Sequence, residues 1–187
     1  EHLKQLADSL IGSIDVVYTL LTGSHLAKTT SSDGAQLRLT LFLPDTKTME
    51  LRQVVRRDWT GRCATSNTTV RWGTGVVGSA FVRQTFVDLN VDNGHAFTDT
   101  VRILGIAPEE SSQHRRQDAR YFAAIPVFDG TDQTPYDNKS MNYGRVVAVL
   151  AVDALVTHPL KQRWYIDTAK KVFPSIHNTL SGNTYKV

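Results

Sequence analysis

Trp72-Gly73-Thr74-Gly75-Val76-Val77-Gly78-Ser79-Ala80-Phe81-Val82-Arg83-Gln84-Thr85-Phe86-Val87-Asp88 is the stretch on which the reading of this chain turns. Three glycines stand close together, followed by a turn or two of apolar-periodic residues and a short alternating run. Glycines so spaced point to backbone at positive φ, or to close approach by another part of the chain. Gly73, Gly75 and Gly78 also fit the Gly-x-Gly-x-x-Gly dinucleotide pattern. That pattern needs a strand ending at the first glycine, a full helix, and an acidic residue about 20 positions on, within a βαβ unit. Here β-type residues resume by Phe86, so the helix is very short. The glycines therefore read first as a turn that opens a short helix packed tightly on a sheet.

Working outward, the flanks say what kind of sheet. Leu37 to Leu43 alternates and reads as a strand ending at Pro44, and Met49 to Trp59 reads as a second. The short turn Asp45-Thr46-Lys47-Thr48 makes them an antiparallel hairpin, with Arg52, Arg56 and Arg57 on its solvent side. Thr60 to Thr69 reads as a polar loop. A helix over about Val76–Arg83 is followed by a strand near Thr85–Leu89. Residues 90–120 are long, polar and irregular, with a helical turn at Thr100–Leu104. Such connections are often binding loops or lids, or else plain surface excursions. Arg120 to Phe128 and Gly144 to Asp153 read as buried strands, the second as the central one.

Both chain ends read as helices. Leu3, Leu6, Ala7, Leu10, Ile14, Val17 and Leu21 keep the three-and-four spacing of an amphipathic helix. Its stripe suits this chain's own sheet, a coiled coil or a dimer contact. A second stripe runs from Leu160 to Leu180, with Pro174 as a kink or break.

Composition narrows the class. At 187 residues, with 41% hydrophobic and 21% charged, the chain has enough apolar material for one globular domain. Its one cysteine, Cys63, permits no intrachain disulfide, which agrees with a reducing, cytoplasmic setting. No apolar run reaches membrane-span length. The chain opens on Glu1, so the expectation is a piece of a longer protein whose flanks hold an output domain or a membrane anchor. The net charge of +3 is too mild to indicate nucleic acid by itself. Arg52, Arg56, Arg57, Arg62 and Arg71 form one local cluster. Arg115, Arg116 and Arg120 with His114 form another. Both read as solvated surface, or as a surface for an anionic ligand or partner.

The order helix, hairpin, short helix, strand, long loop, hairpin, helix is α+β, not doubly wound. It resembles a GAF domain, the PAS-like sensory fold. Three pieces carry the likeness: Trp72 to Ala80 as the glycine turn into the second helix, Phe86 to Asp92 as the next strand and its acidic end, and Ala123–Gly130 with Gly144–Asp153 as the last hairpin. The resemblance implies an antiparallel sheet of five or six strands, with N- and C-terminal helices packed on one side. It also implies a small-ligand pocket under the segment 90–120 and homodimerisation through the terminal helices. No enzymatic activity is expected, and the alternative is a ligand-free interaction module.

The chain departs from several subfamilies of that fold at matching positions. The Asn-Lys pair of cyclic-nucleotide GAF domains is replaced by Asp153-Ala154, and Asn138-Lys139 lies before the strand. Bilin attachment would fall to Cys63, which lacks the usual following His. The free-methionine-sulfoxide reductases of the family use several cysteines, and a lone Cys63 cannot form their intramolecular disulfide. The histidines show no tight metal spacing; His95 reads as an exposed loop histidine or a haem ligand, and the cofactor is left unknown. The expected ligand-site residues are Trp72, Asp92, His95, Phe97, Arg102 and Tyr121. Arg102 would suit an anionic ligand, and Trp72 has a second reading as a core residue.

Overall fold

The computed structural model describes residues 2–21, 37–58, 60, 62–64, 68–90, 119–129, 145–154, 176 and 178–180. Helix α1 spans His2–Leu21 and α2 spans Gly75–Arg83. The strands are β1 (Arg38–Asp45), β2 (Glu50–Arg57), β3 (Cys63–Ala64), β4 (Thr69–Arg71), β5 (Val87–Asn90), β6 (Tyr121–Phe128) and β7 (Val146–Ala154). They form one sheet in the order β3-β2-β1-β7-β6-β5, with β4 also pairing β2. Every pairing is antiparallel, as the sequence order predicts.

The strand number exceeds the expectation of five or six. Cys63–Ala64 and Thr69–Arg71 lie in or beside the stretch read as a polar loop. They are too short and too polar to show alternation. Both pair with the outer edge of β2, one at each end, and so cover most of what would be an open strand edge.

The helices sort the two faces. On one face α1 buries Leu6, Ala7, Leu10, Ile14 and Val17 against Leu39, Leu41, Val55, Ile125 and Leu150, and Ile176 and Leu180 join the same core. The amphipathic stripe of α1 is therefore spent inside the domain. On the other face α2 packs on β4, β5, β6 and β7. Its Ala80 meets Phe42, Leu51, Phe128, Val146 and Val149.

A bulge sets the phase of β2. The register with β1 shifts between Leu41 and Phe42, so Leu41 faces Val55 while Phe42 faces Gln53. Val54 and Val55 then both enter the α1 core, and the strand changes face beyond the extra residue. Arg57 follows this phase to the α1 side, against the expectation of a solvent-side arginine. Its Nε donates to Asp15 Oδ1 at 2.6 Å, and its guanidinium lies 4.3 Å from the Tyr18 ring centre. With the Arg57 side chain 18% exposed, this contact ties α1 to the sheet.

The β1–β2 turn carries strain. Met49, 60% exposed, sits at φ 56°, a left-handed conformation costing an L-residue about 1–2 kcal/mol. Met49→Gly is expected to stabilise the domain by about 0.5–1 kcal/mol, after the extra unfolded-state entropy of glycine is deducted. Urea denaturation at fixed pH measures this directly. A loss of stability would mean that the methionine side chain makes an offsetting contact.

No helix among the described residues is long and apolar enough to cross a membrane.

Candidate functional site

The glycine turn is built as a closed knot. Trp72 N donates to Met49 O at 3.1 Å, Thr74 N to Arg71 O at 3.1 Å, Gly73 N to Gly78 O at 3.1 Å, and Gly78 N to Thr74 O at 3.0 Å. Gly73 and Gly75 sit at φ 79° and 64°, where side chains are disfavoured. Gly78 is needed for a different reason. A Cβ there would run into the Arg71 carbonyl oxygen and stand 3.0 Å from Gly73 N. The amides of Trp72, Gly73, Thr74 and Gly78 are bonded to the chain's own carbonyls, and the close approach at Gly78 makes the turn a helix–sheet packing joint.

Trp72 anchors this knot on the α2 face. Its ring packs against Phe81 with centres 4.9 Å apart and planes tilted 43°. The indole Nε1 is buried and has no hydrogen-bond partner among the described residues. Tyr121 lies elsewhere. It is 1% exposed within the α1 core, and its hydroxyl donates to Asp88 Oδ2 at 3.2 Å. The structure thus puts Trp72 and Tyr121 on opposite sides of the sheet, and they do not share a site. Asp92, His95, Phe97 and Arg102, together with the helical turn expected at 100–104, lie outside the described residues.

The α2 face also holds polar groups that the sequence reading did not single out. By alternation and register, Gln53 and Arg56 of β2 share it with Phe42 and Thr40 of β1. Beyond them Arg38 pairs across the strands with Asp153 of β7. Arg38 Nη2 and Nε each lie 2.7 Å from Asp153 Oδ2, with side chains only 19% and 11% exposed. Gln53 is 6% exposed, and its Nε2 finds no partner among the described residues. Arg56 is half-buried, and among the described residues its guanidinium has no ion pair or hydrogen bond. The signal available in sequence was Gln53 itself, a polar residue at the same phase as Leu51. Without the bulge at Val54, however, its relation to Arg56 is hidden.

Cys63 stands apart from this face. It is paired in register with Arg57 on the α1 side of the sheet edge. Burial, then the nearby Asp15 carboxylate, pushes its thiol above the usual range. That keeps it protonated and weakly nucleophilic at neutral pH.

No protein-family model matches the chain, and no curated protein sequence matches it. Solved structures do. The GAF domain from Acinetobacter phosphoenolpyruvate-protein phosphotransferase matches with TM-score 0.54 at 10% identity, over 93% of this chain and 95% of that one. Free methionine-R-sulfoxide reductase from Neisseria meningitidis, solved with its substrate, matches with TM-score 0.52 at 16% identity, over 100% and 90%. The type II reductase of that name from Thermoplasma acidophilum matches with TM-score 0.51 at 10% identity, over 95% and 96%.

These matches correct the expectation that the chain has no enzymatic activity. Two of the three structures are enzymes built on this architecture, so the fold that suggested a sensory module serves catalysts too. The physical reason is that a sheet face able to hold an effector can also hold a substrate. Identities this low carry the architecture alone, and on that architecture the GAF-domain matches and the observed topology agree: this chain has the GAF fold.

Proposed function

We propose that this chain is a sensory domain that binds a small molecule on the α2 face of its sheet and passes the occupancy of that site to α1 on the opposite face. One observation carries the reading. On the α1 side the described buried polar groups have partners, as Arg57 has Asp15 and Tyr121 has Asp88, whereas the α2 face keeps two buried nitrogens, Gln53 Nε2 and Trp72 Nε1, without partners among the described residues. Each unsatisfied buried group costs about 1–3 kcal/mol. A ligand bearing acceptor atoms would offset that cost in the bound state.

The route to the other face is short. Gln53 is followed on β2 by Val54, which enters the α1 core, and α1 packs on that strand. A ligand that shifts β2 by binding one state better than another shifts the seat of α1 with it.

Thermal denaturation across a metabolite and nucleotide library tests the binding. A ligand at a hundred times its Kd is expected to add about 2.7 kcal/mol of stability. Hydrogen exchange at residues 6–17 should then change on binding. If no compound raises the melting point, the reading fails. Binding without any response in α1 removes the signalling half. A bound compound recovered chemically altered would make the domain a catalyst.

A further inference from the structure

Resting on the ligand site just proposed, we infer that this site selects a monocarboxylate, with the carboxylate held by Arg56 and Gln53. Gln53 and Arg56 face Phe42 and Thr40, alternate residues of β1 on one face, which stand about 7 Å apart. An arginine and a glutamine on neighbouring anchors of that spacing can close on a single group. Their donors suit carboxylate oxygens: a planar guanidinium fork and a carboxamide NH2. Neither donor is engaged among the described residues.

Charge decides for a carboxylate over a phosphate dianion. Three neighbouring arginines are already neutralised: Arg38 by Asp153, Arg52 by Asp45 and Arg57 by Asp15. Asp58 lies near Arg56 but does not bond it. Its Oδ1 accepts from Thr60 N, Thr60 Oγ1 and Arg62 N. Among the described residues, Arg56 is thus the arginine of β2 left without an ion pair, with Asp58 acting on it only through space, and its one charge matches a single negative charge. Phe42, with Val149 and Ala151 of β7, lines the apolar part of the same face, which suits a small organic body better than a bare inorganic ion.

The test uses the purified chain and isothermal titration. Alkanoates, 2-oxo acids and hydroxy acids are each compared with their primary amides, and inorganic phosphate is included. The acids are expected to bind at least about tenfold more tightly than their amides. Arg56→Gln should erase that preference, weakening acid binding about 10- to 100-fold. Gln53→Leu should weaken acid binding while raising the melting temperature of the unliganded chain, because it removes the unpartnered amide. This variant separates a lost contact from a lost fold. Amides binding as well as acids, phosphate binding more tightly than any acid, or an unchanged preference in Arg56→Gln would each overturn the inference. If no acid binds but a neutral library compound does, the carboxylate falls and the α2-face site stands. If nothing in either set binds, both fall.

Discussion

Replacing Gly78 with alanine should destabilise the domain by about 3 kcal/mol, at the upper end of the cost of overpacking. For a chain of this size that is a fall of roughly 10 °C in melting temperature. The added methyl meets the Arg71 carbonyl oxygen and the Gly73 amide. Both are backbone atoms held in the turn by hydrogen bonds: Thr74 N to Arg71 O, and Gly73 N to Gly78 O. Relief by a side-chain rotation is therefore unavailable, and α2 must lift away from β4. Gly73→Ala is the internal control. Nothing lies within 4 Å of a Cβ there, so only the positive φ is penalised, at about 1 kcal/mol. Equal costs for the two variants would refute the close-approach account of Gly78.

Leu10→Ala is expected to cost about 3–4 kcal/mol, in the range for truncating a fully buried leucine. Leu10 is 0% exposed and lies on the α1 stripe that fills one side of the sheet. The same change at Val16, 54% exposed on that helix, should stay within about 0.5 kcal/mol. Equilibrium urea unfolding followed by circular dichroism and by tryptophan fluorescence measures both. The two probes should report one transition for Leu10→Ala, since α1 and the sheet share a core. A cost below 1 kcal/mol, or separate loss of helix signal, would mean that α1 is an appendage.

Much of the architecture was legible because its elements carry clear periods. The three-and-four spacing from Leu3 to Leu21 predicted α1, and the alternation from Leu37 to Leu43 predicted β1. The three glycines marked the turn into α2. Side-chain direction was harder to read. Tyr121-Phe122-Ala123-Ala124-Ile125-Pro126-Val127-Phe128 is apolar at nearly every position because both faces of β6 are covered, so no alternation says which way Tyr121 points. The arginines of β2 show a related gap. Arg52, Arg56 and Arg57 look alike as a charge cluster, yet one pairs with Asp45, one is held beneath α1, and one is left without an ion pair among the described residues. The Val54 bulge makes that division, and it follows from strand pairing rather than from local composition. The core reading of Trp72 was legible, since its ring packs against Phe81 beneath α2.

The pairing of β1 with β7 at the middle of the sheet governs how the chain reaches this structure. Arg38 and Asp153, which close that seam, are 115 residues apart in sequence. Contacts so distant must overcome a large loop-closure entropy before they return any stability. As the chain emerges from the ribosome, the β1–β2 hairpin can form early, but its inner edge stays open until β7 has been made. A product truncated before Val146 would expose that edge on β1 and the facing edge of β6 together. Chains that stop short of β7 should therefore associate and aggregate, while β7 covers both edges with a single strand.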